Sequence, residues 1–206
     1  MKIYDVPAFP NPARVRIALA EKNASEQVSF HDVDVMNGEH RNETFIAKNP
    51  AGAVPILELD DGTCISECSA IIEYIDQSFD GISLTGSNAK EKALVNMMNR
   101  RAEFMVLDAV GGYFHHATAG LGPALETYQN ADWGLKEKER AAAGMEYFNS
   151  VLAESEYVTG SQFSSADITL FAGLAFADFA EVEVPSELSH LQAWRSKVAS
   201  RPSVAG

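Results

Sequence analysis

The hydrophobic periodicity of this chain changes near residue 80, and that change constrains the fold more than any other feature of the sequence. Before residue 80, short β-branched segments alternate with short helical segments, whereas beyond residue 88 nearly all apolar patterns have the helical period. The segment between them is rich in Gly, Ser and Thr, which is typical of a linker. The sequence therefore predicts a first domain at residues 1–80, a linker at 81–88 and a second domain at 89–206.

The first domain is predicted to contain seven elements in the order βαβαββα. Asn11 is predicted to cap the first helix, with Pro12 in its first turn. The residues Asp60-Asp61-Gly62 are predicted to turn a β-hairpin. A parallel strand–helix–strand unit closed by an antiparallel hairpin is the order of a thioredoxin-like α/β domain. The predicted strands are 2–5, 28–35, 54–59 and 63–65, and the predicted helices are 11–22, 44–48 and one that starts at 66 or 67.

The second domain is predicted to be an all-α helical bundle. Its first helix is predicted to be long and to bend at Gly111-Gly112. Ser164 and Asp167 have the spacing of a capping box. The predicted helices are 90–116, 136–153, 165–179 and 188–200, and three aromatic residues of the third, Phe171, Phe176 and Phe179, are predicted to pack in the core.

The composition argues against several classes of partner. The 206 residues include 16 basic and 29 acidic side chains, and the net charge of −13 repels phosphate backbones and anionic membranes. We therefore expect neither a nucleic acid nor a membrane as partner. The five histidines have no metal-ligand spacing, and no phosphate loop or dinucleotide fingerprint is present. No metal site is expected.

Cysteine use and the lack of long apolar segments indicate the compartment. The two cysteines, Cys64 and Cys68, form no disulfide scaffold, which is typical of a reducing environment. No segment approaches the roughly 20 apolar residues that span a bilayer, and the first residues lack the apolar run of a signal peptide. A cytoplasmic location is the expectation. Cys64 is predicted to be a buried strand residue rather than a reactive thiol.

Three motifs in the first domain follow one another in a family-specific order. They are NPAGAVPIL at 49–57, DG at 61–62 and SECSAI at 66–71, preceded by the GEH loop at 38–40. Together they resemble the glutathione-binding core of the glutathione S-transferases. The segments ARVRIALAEK at 13–22 and YFHHAT at 113–118, with the Glu67-Cys68 pair, are similar to an atypical fungal and bacterial group of that family best known from yeast.

This resemblance implies a site for glutathione on the first domain. Members of the family hold the proline at Pro55 in the cis form, so that the N–H and C=O of Val54 pair with the cysteinyl backbone of glutathione. Glu67 and Cys68 lie at a helix start that favours the α-carboxylate of the γ-glutamyl group, and Glu67 is expected to take its ammonium group. Two further candidates, His40 and Lys48, are expected near the glycyl carboxylate.

The resemblance also implies how the thiol is activated. Most members use a Ser, Cys or Tyr near the end of the first strand, but here Phe9 occupies the usual Ser or Cys position. In the atypical group, a histidine on the long helix holds a water that polarises the thiol, with a hydroxyl residue one turn earlier. His115 matches that histidine, Gly111 stands where the hydroxyl is expected, and His116 is the alternative catalytic residue.

Three functions remain open on the sequence alone. The leading interpretation is a detoxifying glutathione transferase in which glutathione is the co-substrate and a small hydrophobic electrophile is the acceptor. The second is a glutathione-dependent disulfide reductase or peroxidase, although Phe9 argues against a catalytic cysteine in the first loop. The third is a non-catalytic binding module on the same fold. The resemblance implies a homodimer for each of them.

Overall fold

The computed structural model describes residues 1–205, which divide into two compact units, Met1–Leu84 and a second that begins at Thr85. That division falls inside the predicted linker. The first unit has the predicted order βαβαββα, which confirms the thioredoxin-like fold class. Its elements are β1 (Lys2–Asp5), α1 (Pro10–Glu21), β2 (Ser29–Asp32), α2 (Glu43–Lys48), β3 (Ile56–Glu58), β4 (Cys64–Ser66) and α3 (Cys68–Ser78).

The four strands of the first unit form one mixed sheet in the order β2-β1-β3-β4. β1 runs parallel to β2 and antiparallel to β3, and β3 pairs antiparallel with β4. One face of the sheet is covered by α1 and α3, because Ile3 and Leu57 share a buried cluster with Leu19 and Ile71. Side chains alternate along a strand, so Tyr4 lies on the opposite face, where its ring contacts Phe45 of α2.

The start of α1 differs from the prediction. The helix begins at Pro10 and its N-cap residue is Phe9, so Asn11 lies inside the first turn and does not cap it. Proline is favoured at the first helical position because its missing N–H needs no partner there, and here Pro10 rather than Pro12 takes that place. The predicted capping role of Asn11 is therefore wrong, and its side chain is available for other contacts.

The second unit is helical, as predicted. The long helix comprises α4 (Ala89–Ala102), a π-helical turn (Glu103–Leu107) and α5 (Asp108–Ala117). The irregular turn thus lies at Glu103–Leu107, whereas Gly111 and Gly112 lie within regular helix, contrary to the predicted bend. The remaining helices are α6 (Ala131–Glu154), α7 (Ser165–Phe179), α8 (Ser189–Ala199) and α9 (Pro202–Ala205).

Local signals explain two helix starts in this unit. Asn130 caps α6 by accepting a hydrogen bond from the Trp133 N–H, and α6 begins earlier than predicted. The predicted capping box is present at α7, where the Asp167 carboxylate accepts a hydrogen bond from the Ser164 N–H at 3.0 Å. Across residues 1–205, no helix combines the length and apolar character needed to cross a membrane.

Candidate functional site

The loop before β3 is shaped by a buried asparagine. The Asn49 amide donates to the Ala53 carbonyl at 2.8 Å, and its side-chain oxygen accepts from the Ala51 N–H at 3.1 Å. Gly52 has a φ of +59°, and a Cβ there would lie 3.1 Å from the His40 carbonyl oxygen. Only a glycine therefore fits between this loop and the His40 segment without strain. The peptide bond that follows, Val54–Pro55, is cis, as the resemblance implies.

Val54 presents free backbone groups at the edge of this loop. Neither its N–H nor its C=O forms a backbone hydrogen bond with another residue of 1–205. Because Ile56 pairs with Ser66 in the hairpin, the residues that precede Ile56 lie beside those that follow Ser66. Val54 and Glu67 are thereby brought to the same end of the sheet. An extended peptide can add to such an edge through main-chain hydrogen bonds.

Glu67 holds an unusual backbone conformation at the start of α3. It is the N-cap residue, it is exposed, and its φ of 71° is one that side-chain-bearing residues rarely adopt. Such a conformation costs on the order of 1–3 kcal/mol and is found preferentially at functional sites. The first N–H groups of α3 have no intrahelical acceptors, so this end of the helix favours an anion.

Cys68 is directed into the protein rather than toward the exposed end of α3. Its side chain is buried, and Sγ lies 3.3 Å from the Asn11 carbonyl oxygen and 3.6 Å from Asn11 Oδ1. Asn11 Oδ1 also accepts a 2.8 Å hydrogen bond from Nη1 of the buried Arg14. The thiol therefore joins the first turns of α1 and α3, and an anion at α3 would meet the Cys68 backbone N–H.

His40, which was predicted to bind the glycyl carboxylate, lies beside the loop that precedes β3. It is 9% exposed, its carbonyl oxygen faces Gly52, and its Nδ1 has no hydrogen-bond partner among residues 1–205. Burial lowers the pKa of His40, and the nearby Arg41 lowers it further, so the ring is neutral at pH 7. A neutral imidazole offers one N–H donor and one acceptor.

Lys48 is already engaged on the other face of the sheet. Its ammonium group donates to Glu58 Oε2 at 2.7 Å and lies 5.1 Å from the centre of the Tyr4 ring. The Glu58 carboxylate also accepts from the Tyr4 hydroxyl at 2.6 Å. The hydrogen bond to Glu58 raises the pKa of Lys48. A ligand carboxylate would therefore have to compete with Glu58 for this lysine.

In the second unit, His115 is held by an acidic residue from the following loop. Its Nδ1 lies 2.7 Å from Oε1 of Glu126, whose side chain is 10% exposed. The same carboxylate oxygen accepts from the Leu121 N–H at 2.8 Å. Burial raises the pKa of Glu126, but the hydrogen bonds from Leu121 and His115 outweigh it, and the net pKa is below its usual value. Glu126 is therefore ionised at neutral pH.

His116 points to a different part of the same loop. Its Nδ1 accepts a hydrogen bond from the Asn130 N–H at 3.2 Å, and its ring lies 6.0 Å from that of Tyr128. Since Asn130 also caps α6, this contact ties the end of α5 to the start of α6. The two adjacent histidines thus have different partners, and His116 supports the loop.

An aromatic cluster lies beside His115. The Phe114 ring is 5.0 Å from His115, 5.4 Å from Phe176 and 5.6 Å from Phe179. Phe179 is 70% exposed, so the prediction that it packs in the core is wrong. A Cβ on Gly111 would lie 3.5 Å from Phe176, an ordinary contact distance. Phe179 is therefore an accessible apolar side chain at the edge of a cluster that lies next to a histidine.

The contacts of two residues near the candidate site, Glu126 and Asn11, are not predicted by the sequence. Glu126 stands 11 residues after His115 in a loop without hydrophobic periodicity, and no spacing rule connects them. Asn11 was assigned to helix capping, a role for which asparagine is common. Within residues 1–205, no group of three or more His, Cys, Asp or Glu side chains is arranged to hold a metal ion.

Comparison with known families covers both units. The model described as "Glutathione S-transferase, N-terminal domain" matches residues 3–83, and the one described as "Glutathione S-transferase, C-terminal domain" matches residues 96–202. These two ranges leave out only the ends and the segment around the linker.

Individual relatives agree with the family models. "Glutathione S-transferase 2" of Saccharomyces cerevisiae is 55% identical over 205 residues, which cover 99% of this chain and 88% of that protein. The crystal structure of Gtt2 from the same yeast has a TM-score of 0.97 at 54% identity, covering 100% of this chain and 99% of that chain. A glutathione S-transferase domain-containing protein of Marinobacter aquaeolei VT8 has a TM-score of 0.98 at 61% identity, covering 99% and 100%. The resemblance to the yeast-type group is thereby confirmed.

Proposed function

The chain belongs to the glutathione S-transferase family, and we propose that it transfers the glutathione thiolate to small hydrophobic electrophiles, with a role in detoxification. The observation that carries this proposal is the unpaired backbone of Val54 beside the start of α3. An extended tripeptide with a carboxylate at one end matches both features, since its backbone can pair with Val54 and its carboxylate can meet the helix N-terminus.

The proposed contacts of glutathione follow from this arrangement. The cysteinyl backbone pairs with the N–H and C=O of Val54. The γ-glutamyl carboxylate accepts from the Cys68 N–H, and Glu67 binds the adjacent ammonium group. His40 donates to the glycyl carboxylate from its neutral ring, and Lys48 contributes there only if it leaves Glu58.

Thiol activation is proposed to rest on His115. A free thiol titrates near pH 8.5, so lowering its pKa by two units requires about 2.7 kcal/mol of preferential stabilisation of the thiolate. Phe9 can neither donate nor accept a proton. In His115, the hydrogen bond to Glu126 uses Nδ1 and not Nε2. An imidazole nitrogen that carries no hydrogen has a free lone pair and is suited to accept the thiol proton, directly or through a water.

The acceptor substrate is proposed to rest on the aromatic cluster beside His115. Phe179 exposes 70% of its surface, and Phe176 stacks on it with ring centres 6.4 Å apart. Exposed aromatic rings favour flat apolar or aromatic partners through offset stacking. The proposal therefore favours aromatic electrophiles over small aliphatic ones.

A homodimer is proposed from exposed apolar side chains on α4 and on the π-helical turn that follows it. Leu94, Met97 and Phe104 are 40%, 39% and 49% exposed, and Leu94 and Met97 share one side of the helix. Exposed apolar side chains along one surface segment suit burial against a second copy of the chain.

The test is steady-state kinetics with glutathione and a chlorinated dinitrobenzene. His115→Ala is expected to reduce kcat by roughly 10²-fold with little change in the glutathione KM, because general-base catalysis acts on the chemical step. His116→Ala is the matched control and should reduce kcat much less, since His116 contacts the loop. An unchanged kcat in His115→Ala would remove that residue from the mechanism.

The same proteins separate the alternative functions. Turnover of hydroxyethyl disulfide with glutathione, in the absence of conjugation, would indicate a disulfide reductase. Binding to immobilised glutathione without turnover of either substrate would indicate a non-catalytic module. We expect conjugation to be faster than disulfide reduction, because the residue at the start of α1 is Phe9 and not a cysteine.

A further inference from the structure

We propose that Glu126 is a positioning residue, which holds His115 as the Nδ1–H tautomer and so leaves Nε2 as the proton acceptor. This inference rests on the proposed function, because the contact between Glu126 and His115 matters for the reaction only if His115 accepts the thiol proton. It adds a residue that the family motifs in this sequence do not contain.

The geometry supports a directed hydrogen bond. The distance of 2.7 Å between His115 Nδ1 and Glu126 Oε1 is typical of a charge-assisted bond. An ionised carboxylate can only accept, so Nδ1 must carry the hydrogen. The remaining nitrogen, Nε2, then has a free lone pair. When Nε2 takes the thiol proton, glutathione becomes a thiolate and the ring becomes an imidazolium paired with the Glu126 carboxylate.

The loop is built to keep the carboxylate in place. Glu126 Oε1 also accepts from the Leu121 N–H at 2.8 Å, so the carboxylate is fixed from two sides. Gly120 has a φ of +53°, and a Cβ there would lie 2.2 Å from Glu126 Oε1. Any side chain at this position would displace the carboxylate, which explains a glycine there by space as well as by conformation.

The loop is also anchored to the end of α5. The Gln129 amide donates to the carbonyl oxygens of His115 and Thr118, both at 2.8 Å. The Thr118 hydroxyl donates to the Phe114 carbonyl oxygen at 2.6 Å and accepts from the Gly120 N–H. These bonds give partners to the Phe114 and His115 carbonyl groups near the end of α5, and they tie the loop that carries Glu126 to that end of the helix.

Other charged groups near α5 have partners of their own. His116 of α5 accepts from Asn130, and Asp108 at the start of α5 has a partner as well. The ion pairs on neighbouring elements are Glu137–Arg140 on α6, Asp178–Arg195 between α7 and α8, and Glu103–Arg100 at the π-helical turn, while Lys138 lies over the Tyr113 ring. Glu126 is thus the carboxylate that the structure of residues 1–205 places at hydrogen-bond distance from His115.

The experiment combines NMR of isotope-labelled histidine with steady-state kinetics. The variant Glu126→Gln keeps an oxygen that can accept from both Leu121 and His115 but removes the charge. Glu139→Gln is the matched control, because Glu139 is an exposed glutamate on α6. The His115 signals are assigned by their loss in His115→Ala, and the spectra are recorded without glutathione.

We expect the Nδ1–H tautomer at His115 in the parent and in Glu139→Gln. In Glu126→Gln we expect a roughly tenfold lower kcat with an unchanged glutathione KM, the scale of replacing a charge-assisted hydrogen bond by a neutral one.

Two results would overturn the inference. One is the Nε2–H tautomer at His115 in the parent protein, and the other is a Glu126→Gln variant with the parent's kcat. A failure of the proposed function is distinguishable, because it appears as an unchanged kcat in His115→Ala while the tautomer in the ligand-free parent is still Nδ1–H.

Discussion

The side-chain carboxylate of Asp167 accepts a 2.9 Å hydrogen bond from the indole N–H of Trp194, which ties the start of α7 to α8. The carboxylate is completely buried and also accepts from the N–H groups of Val158 and Ser164. Burial raises the pKa of Asp167 to about 6, and these hydrogen bonds offset only part of that effect. The folded state therefore binds a proton at this site more tightly than the unfolded chain.

This contact predicts a pH-dependent difference in stability between the parent and Asp167→Asn. The folded pKa lies above the unfolded value of 3.8, so the proton-linked stability is present below about pH 4 and is lost as pH rises through 6. A shift of about two units corresponds to about 3 kcal/mol. We expect the free-energy difference between the two proteins to be largest at pH 4 and to shrink by up to that amount by pH 7.

Urea unfolding at pH 4, 5, 6 and 7 provides the measurement, with the pH values chosen to bracket the transition (about one unit apart). Ser164→Ala is the control, because it removes one hydrogen-bonding group from the site and keeps the titrating carboxylate. A difference between parent and Asp167→Asn that stays constant or grows with pH would contradict the prediction.

Gly111→Ser is expected to be tolerated and to raise kcat. The new Cβ would lie 3.5 Å from Phe176, and serine has a helix propensity about 0.5 kcal/mol better than glycine. Its hydroxyl would stand one turn before His115, where it can share in holding a water, and one added hydrogen bond is worth up to roughly tenfold in rate. Thermal unfolding and conjugation kinetics together test both effects.

Gly112→Ser is the matched control for that substitution. A Cβ on Gly112 would lie 2.7 Å from Cγ of Glu137, which is buried and paired with Arg140. We expect this variant to lose about 1–3 kcal/mol of stability through overpacking, without any gain in rate. Equal stability of the two variants would show that the spacing between α5 and α6 adapts more freely than expected.

Glu67→Gln is expected to raise the glutathione Kd by roughly 10- to 100-fold, the scale of losing a hydrogen bond to a charged group. The substitution keeps the size of the side chain and its φ of 71°, so the fold should not change. Glu181→Gln is matched to it, because Glu181 also has a positive φ of 56° but lies after α7. The idea fails if both variants bind glutathione as the parent does in isothermal titration.

Met97→Glu is expected to dissociate the proposed homodimer. Met97 lies on the apolar side of α4, and burying an unpaired carboxylate against a second copy would cost several kcal/mol. Leu135→Glu is the control, because Leu135 is 52% exposed on α6. Sedimentation velocity should show a monomer for the first variant and a dimer for the parent and the control. A monomeric parent would refute the proposed assembly.

Much of the first unit could be predicted from local signals. The Asp60-Asp61-Gly62 turn and the alternation before it specify the hairpin, and the Val54–Pro55 pair was recognised from its motif. The prediction for β2 is too long, because β-branched residues continue after Asp32. Asp32 is nevertheless the last residue that pairs with β1. The end of a strand depends on which of its residues pair with a neighbouring strand, and neighbouring strands come from distant parts of the sequence.

The candidate site in the second unit could be predicted only in part. A motif predicts His115, but Glu126 approaches it through a loop that has no periodicity, and no pattern in the sequence connects the two residues. Phe179 has the spacing of a core residue on α7, yet it lies at the exposed end of an aromatic cluster. Burial depends on what packs against a residue from elsewhere in the chain.

The amino-acid sequence by itself determined the order of the elements in the first unit, the fold class and the family, because turns, caps and hydrophobic periods act over a few neighbouring residues. Only the tertiary structure decided that Cys68 turns inward to Asn11 and that Glu126 holds Nδ1 of His115. Those contacts join residues 57 and 11 positions apart, and their geometry follows from how helices and loops pack.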